Sequence, residues 1–255
     1  PNLVMIGPGS IAAYGFLELT PLMRRFLKFS SLLCLLCLQG ISSSADAAVR
    51  RYLYCSSPDG AQREGKSGTG LLVFDIDHGH QFVRRIEIPI FKEGLRGLTG
   101  CSASKCLYYS TTNKRLGCFD LEIEKIIWDQ QYHAGCDRTC ITPDGKFLFA
   151  PTGWWYKGDD SGFLKIDARD GKLLERIKVG TAAHNSIASL DGRFVYLGTT
   201  TMLTQFDAKS GKILKNIKPV GESGVFPYTV KSDNSFAFVC LGRHVGVDVV
   251  DLEAG

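Results

Sequence analysis

The feature that most constrains this chain is a repeat. An apolar run ending in aspartate recurs five times: Leu71-Leu72-Val73-Phe74-Asp75, Leu116-Gly117-Cys118-Phe119-Asp120, Phe163-Leu164-Lys165-Ile166-Asp167, Leu203-Thr204-Gln205-Phe206-Asp207 and Val247-Asp248-Val249-Val250-Asp251. Successive aspartates are 45, 47, 40 and 44 residues apart, a mean of 44. A period of about 40–50 residues is the mark of a propeller-type array, and it suffices for four short strands with their turns.

The punctuation repeats with the same period. Pro143-Asp144-Gly145-Lys146, Leu190-Asp191-Gly192-Arg193 and Lys231-Ser232-Asp233-Asn234 each precede an alternating aromatic and apolar triplet, Phe147-Leu148-Phe149, Phe194-Val195-Tyr196 and Phe236-Ala237-Phe238. Asp-Gly beside such runs is a hairpin signal, because glycine accepts positive φ without steric cost. A second turn follows the strands that end in Asp167 and Asp207, carried by Asp170-Gly171-Lys172 and Ser210-Gly211-Lys212. Each unit therefore reads as a four-stranded antiparallel meander, with strands a to d. One meander cannot bury both of its faces alone, so several must stack side by side. The expected fold class is all-β, a β-propeller of four-stranded antiparallel blades.

The segment TPDGKFLFAPTG followed by GFLKIDARDGKLLERIKVG resembles the YVTN-type repeat, with its turn, its Tyr-Val-like strand, its Ile-Asp strand and its closing Val-Gly. Lys125-Ile126-Ile127-Trp128 is similar to the Gly-Lys-x-x-Trp segment of quinoprotein repeats. The resemblance covers about residues 50–255 and implies a ring of seven blades. At the observed period, residues 48–255 hold about 4.7 blades, so the expectation is an incomplete, C-terminally truncated ring. The first blade enters at strand b, Arg51 to Cys55.

The N-terminus reads as an address. Met23, Arg24, Arg25 and Lys28 form a positive region, Leu32 to Leu38 form a short apolar core, and Ala45-Asp46-Ala47 matches the small-x-small cleavage rule. Residues 23–47 are thus expected to be a secretory signal peptide and residues 1–22 translated upstream sequence. The apolar run is too short for a bilayer core of about 30 Å, so no stable membrane span is expected after cleavage. The expected location is periplasmic or extracellular.

Strand order sorts the remaining residues by face. In an a-b-c-d meander the a–b and c–d turns lie on one face of the disc, and the d–a and b–c connections lie on the other. The Asp-Gly and Gly-Lys turns belong to the first face, and turn chemistry accounts for them fully. The second face is irregular, which is where a rigid scaffold carries its binding residues. Its d–a segments read Leu95-Arg96-Gly97, Gly135-Cys136-Asp137-Arg138, Ala183-His184-Asn185 and Phe226-Pro227-Tyr228. Asp137, Arg138, His184 and Asn185 together suit an anion or a polar small molecule, with Arg96 and Tyr228 at equivalent positions. Alternatively they hydrogen-bond across the funnel to satisfy strand ends.

The b–c loops share that face. One runs from Ser57 to Gly70 with Arg63 and Lys66, and another contains Trp154-Trp155-Tyr156. Only alternate residues of a strand face inward, so three consecutive aromatics are poorly explained by core packing. They suit stacking on a ligand or anchoring a partner, or else folding over the blade. Arg243 and His244 sit in the last b–c loop.

Several chemistries find no support. Net charge is only +4, with 30 basic and 26 acidic residues, and no basic run argues for nucleic acid. Asp75-Ile76-Asp77-His78-Gly79-His80 imitates a calcium loop, but Ile86 stands where the glutamate is needed, so no metal site is expected. The cysteines outside the leader lack the spacing of zinc or haem attachment, although Cys101 and Cys106 flank a hairpin that a disulfide could cross in an oxidising compartment. No nucleophile elbow, phosphate loop or dinucleotide fingerprint is present, and no cofactor is expected.

Two functions follow. The first is a secreted binding or interaction module that receives an unidentified small molecule or protein at the d–a/b–c face. The second comes from the resemblance, which extends to lactonase-like hydrolases and quinoprotein dehydrogenase-like oxidoreductases. In that case His184 is the base, Asp137 orients it, and Arg96 and Arg138 bind the anionic part of the substrate.

Overall fold

The computed structural model describes residues 4–5, 50–56, 70–88, 94–111, 113–153, 156, 158, 161–180, 182–218, 224–241 and 245–255. The chain divides into two compact units, Val4–Arg50 and one containing Arg51–Gly255. In the first, the described residues are the short strand β1 (Val4–Met5) and Arg50. The leader, residues 23–47, lies outside the described residues, as does all of residues 1–22 except Val4 and Met5. Among the described residues no helix is long and apolar enough to cross a membrane.

The second unit is all-β and follows the repeat. Strands β2 (Arg50–Ser56), β3 (Leu71–Asp75) and β4 (Gln81–Ile86) come first, followed by β5 (Leu95–Cys101), β6 (Cys106–Thr111), β7 (Arg115–Asp120) and β8 (Lys125–Gln131). Next come β9 (Cys140–Ile141), β10 (Phe147–Pro151), β11 (Gly162–Asp167) and β12 (Leu173–Lys178). Then follow β13 (Asn185–Ala188), β14 (Phe194–Gly198), β15 (Leu203–Asp207) and β16 (Ile213–Ile217), and lastly β17 (Val225–Val230), β18 (Phe236–Leu241) and β19 (Asp248–Asp251). Strands pair in chain order within each sheet, giving five antiparallel blades in a propeller arrangement. Five blades are described, rather than the seven that the resemblance implied, and the last has three strands, ending at strand c.

The recurring aspartate caps the c–d turn. Asp75 Oδ1 accepts the backbone N–H of Asp77 at 2.9 Å, Asp120 Oδ1 that of Glu122 at 2.8 Å, and Asp167 Oδ1 that of Arg169 at 2.9 Å. Asp207 Oδ1 takes Ser210 N–H at 2.6 Å and Asp251 Oδ1 takes Glu253 N–H at 2.8 Å. A short carboxylate that reaches the backbone two or three residues on stabilises the chain reversal, and this is why one residue type holds the position. The strand pairing behind the cap also repeats: the c–d register shifts between Val73 and Phe74, Cys118 and Phe119, Lys165 and Ile166, and Gln205 and Phe206. Each shift is a bulge that increases local twist, as a propeller blade requires.

The core lies between blades. Cys106, Tyr108, Leu116 and Cys118 of one blade pack with Leu148, Ala150, Leu164 and Ile166 of the next. The opposite face of that next blade presents Phe149 and Phe163 to Val195, Leu197 and Phe206, with the Phe163 and Phe206 ring centroids 5.2 Å apart. Tyr196 and Leu203 then meet Val225, Tyr228, Ala237 and Val239. Strands b and c are therefore apolar on both faces, as buried strands must be. Side chains also tie each blade to the c–d turn of its neighbour. Trp128 Nε1 donates to Ala168 O at 3.0 Å, Lys165 Nζ to Lys209 O, and Lys215 Nζ to Leu252 O at 3.0 Å.

Cys101 and Cys106 face each other across the a–b hairpin, and both are free thiols. Cys101 Sγ points to the Thr142 carbonyl at 3.9 Å, and Cys106 Sγ donates to Ser104 O at 3.2 Å.

Candidate functional site

The innermost strands of four blades, β5, β9, β13 and β17, line a central channel of about 680 Å³. The d–a segments deliver their residues to one mouth of it. Asp137 and Arg138 lie just before β9, separated from it by Thr139, and Asn185 opens β13. Arg96 is placed differently from what the sequence suggests. In β5, Leu95 pairs with Thr111 and Gly97 with Ser110, so Arg96 is the extra residue of a bulge inside the strand. A bulge re-aims one side chain out of the pleat, and here it brings Arg96 Nε to 3.7 Å from Asp137 Oδ1.

Asp137 is the hub. Its side chain is fully buried, and Oδ2 lies 2.7 Å from Nδ1 of His184, which is itself nearly buried. Its backbone is held on both sides: Asp137 N–H donates to Pro151 O at 2.8 Å, and Asp137 O accepts the Ser110 hydroxyl at 2.7 Å and the Thr139 hydroxyl at 3.1 Å. A buried carboxylate costs several kcal/mol in desolvation unless it is paired, and His184 and Arg96 supply that pairing. Oδ1 nevertheless has no hydrogen-bond donor among the described residues, since Arg96 stands beyond bonding distance.

Arg138 takes the opposite role. Its side chain is exposed and lines the channel, and no ion-pair partner for it exists among the described residues. Its backbone is fixed: Ser186 Oγ donates to Arg138 O at 2.8 Å, and Arg138 bridges to Asn185 of the next blade. Asn185 lines the channel beside it. The site thus joins three consecutive blades through Arg96, Asp137 with Arg138, and His184 with Asn185.

Gly97 makes this packing possible. A Cβ there would stand 2.8 Å from Ser110 Oγ, 3.0 Å from Arg138 Cα and 3.2 Å from Asp137 O. Ser110, Thr139, Ser186 and Gly97 all support the site, and sequence reasoning singled out none of them as such. The only signal was Gly97 beside Arg96, and a glycine in a strand does mark a bulge or a close approach.

Tyr228 is not at the mouth. It is buried between blades, and its hydroxyl lies 2.8 Å from Tyr196 O and 3.2 Å from Asn185 O. Burial pushes its phenol well above the ordinary value, so it stays protonated as a donor. Tyr156 is half-buried in its b–c loop, with Lys114 Nζ 5.6 Å from its ring centre. Trp154, Trp155, Arg63, Lys66, Arg243 and His244 lie outside the described residues. Among the described residues no group of three or more His, Cys, Asp or Glu is placed to hold a metal ion.

No protein-family model matches the chain, and no curated protein matches it. Among solved structures it is similar to the hydrazine synthase of Kuenenia stuttgartiensis, with a TM-score of 0.54 and 16% identity over 63% of this chain. The likeness spans 46% of that protein's chain, which is under half of its length. At that identity the comparison shows the fold alone, which is the β-propeller.

Proposed function

We propose that this propeller is a binding module whose ligand enters the central channel at the d–a/b–c mouth. The observation that supports it most is the contrast between Arg138 and its surroundings. Its backbone is held by the Ser186 hydroxyl at 2.8 Å and by the bridge to Asn185, while its guanidinium stands exposed in the channel. A positioned but uncommitted donor is what a recognition site needs before its ligand arrives. The YVTN-type repeat and secretion through residues 23–47 belong to the same reading, on the motifs that carry them.

The test is recovery of a bound small molecule. The full chain is incubated with a metabolite extract, washed and denatured, and the released compounds are identified by mass spectrometry. A compound enriched on the wild type and lost on Asn185→Ala is expected; equal recovery from both overturns the channel as the site. Secretion is checked by N-terminal sequencing of exported protein, which should begin at Ala48.

A second reading rests on one distance. Asp137 Oδ2 at 2.7 Å from His184 Nδ1 is the geometry by which a carboxylate orients an imidazole whose other nitrogen serves as a base. A lactone hydrolysis lost in His184→Gln while folding persists would favour this enzyme reading. Absence of hydrolysis in the wild type would sink it.

A further inference from the structure

From the charge distribution of the channel we infer that its ligand is a small hydroxylated oxyanion, such as a sugar acid or a phosphate ester. This inference rests on the channel being a ligand site. Across the whole sequence, basic and acidic residues nearly balance at 30 and 26. The channel does not share that balance: among the described residues lining it, Arg96, Arg138 and Lys231 are the charged ones, and no Asp or Glu lines it.

The three cations are not equivalent. Lys231 is committed to Asp233 at 2.6 Å, at the far end of the channel, and Arg96 shares the buried Asp137 carboxylate. Among the described residues, Arg138 is left to define the charge at the d–a mouth. Among the described residues, Arg96, Arg138 and the Asp137 carboxylate together carry one net positive charge, which one oxyanion would neutralise. A guanidinium presents paired donors in a plane, a shape that suits carboxylate and phosphate oxygens.

The rest of the wall carries no charge among the described residues and mixes polar groups with apolar ones such as Leu98, Ile141, Ile187 and Val230. Thr99, Asn185, Ser186 and Thr229 lie along the innermost strands. Strand a is also the edge of its blade, so one side of its backbone offers unpaired N–H and C=O groups toward the channel. The hydroxyls of Thr99 and Thr229, the Asn185 amide and the open backbone give a hydroxylated ligand its hydrogen bonds, and the apolar residues between them receive its carbon skeleton. A volume of about 680 Å³ falls within the range typical of small-molecule sites. Low-dielectric walls strengthen the attraction further by focusing the field of Arg138 along the channel.

The test is calorimetric titration of the full chain with gluconate, inorganic phosphate and neutral glucose at low salt. Saturable binding of gluconate or phosphate is expected, about tenfold or more tighter than glucose and weakened by added salt. The two anions distinguish a carboxylate from a phosphate headgroup. Arg138→Gln should weaken the anion by about tenfold or more with an unchanged melting temperature, because the side chain is exposed. Glucose binding as tightly as the anions, or anion binding unaffected by Arg138→Gln, overturns the inference while leaving the channel site standing, provided that Asn185→Ala weakens what binds. No saturable binding of either anion overturns it as well, whereas failure of the channel itself would show as equal metabolite recovery from wild type and Asn185→Ala.

Discussion

The two faces of the disc are built by different rules. On the turn face the blades solve the same problem with the same parts: an aspartate at the end of strand c accepts N–H groups from its own turn in all five, and another caps the a–b turn in the last three. Asp144 Oδ1 accepts Lys146 N–H at 3.1 Å, Asp191 Oδ1 takes Arg193 N–H at 3.0 Å, and Asp233 Oδ1 takes Ser235 N–H at 3.0 Å. These bonds span two or three residues and need nothing from the neighbouring blade. On the d–a face no two blades use the same residues, and the decisive contacts cross blades: Asp137 to His184, Arg96 to Asp137, and Ser186 to Arg138. Local contacts repeat because each is self-sufficient. The cross-blade contacts at the d–a mouth are unique because each partner constrains the other, and this concentrates specificity there.

If so, substitutions should separate by face, and the largest effect belongs to Asp137. Asp137→Ala leaves the nearly buried His184 ring and the partly exposed Arg96 without the carboxylate they share. Breaking a buried pair from one side costs about 3–5 kcal/mol, whereas Asp207→Ala on the turn face should cost only about 1 kcal/mol. Denaturant unfolding of the two variants measures the ratio. Equal losses would mean that the d–a face is no more tightly coupled than the turns.

Gly97→Ala comes next, at about 1–3 kcal/mol for the overpacking. The added methyl meets Ser110 Oγ at 2.8 Å, and that hydroxyl is the one that holds the Asp137 carbonyl. Loss of stability should therefore come with loss of ligand affinity. Unfolding curves and titration on the same variant check this, and an unaltered affinity would uncouple Gly97 from the site.

How much of this was legible in the sequence follows the same division. The capping aspartates and Asp-Gly turns act within a few residues, so their period marked out the blades and the pairing order of their strands. Asp137, Arg138, His184 and Asn185 were legible as a group because strand order alone assigns them to one mouth. The bulge at Arg96 was not, because register depends on how β5 lies against β6 and not on β5 itself. Nor was the burial of Tyr228, whose hydroxyl finds carbonyls of another blade. Its d–a position gave no sign of which neighbour would close over it.

Acid should expose the turn face specifically. Burial alone would raise the Asp191 carboxyl, but the Ser189 hydroxyl, the Arg193 N–H and the Arg193 guanidinium outweigh it and bring the group from 3.8 down to about 2. A folded value below the unfolded one means that the charged form stabilises the fold. That contribution is complete above about 3.8 and is lost as pH falls through about 2. Asp167 and Asp207 are lowered as well, by the Arg169 side chain and the Ser210 hydroxyl respectively. Asp191→Asn should thus lower the melting temperature by a few degrees at neutral pH, with a gap from wild type that narrows between pH 4 and pH 2. A constant gap across that range would show that the carboxylate's charge is irrelevant to the turn.

The smallest effect is also the sharpest probe of the comparison. Two non-glycine residues with positive φ sit on opposite faces: Lys105 at φ 54 in an a–b turn and Ala182 at φ 58 in the segment leading to His184. The left-handed conformation costs an L-residue about 1–2 kcal/mol, and glycine escapes that cost but brings about 0.5–1 kcal/mol of extra chain entropy to the unfolded state. The two terms nearly cancel, so Lys105→Gly and Ala182→Gly should each change stability by about 0.5 kcal/mol or less. Their consequences for binding should differ. Around Lys105 the hairpin is held by its own ladder, with Cys101 paired to Cys106, so freedom at the turn goes nowhere. Ala182 precedes His184, whose ring must meet Asp137 from another blade at 2.7 Å, and backbone freedom there loosens that contact at the mouth. Titration of the same oxyanion into both variants should show weaker binding for Ala182→Gly and none of that loss for Lys105→Gly, even though unfolding hardly tells them apart.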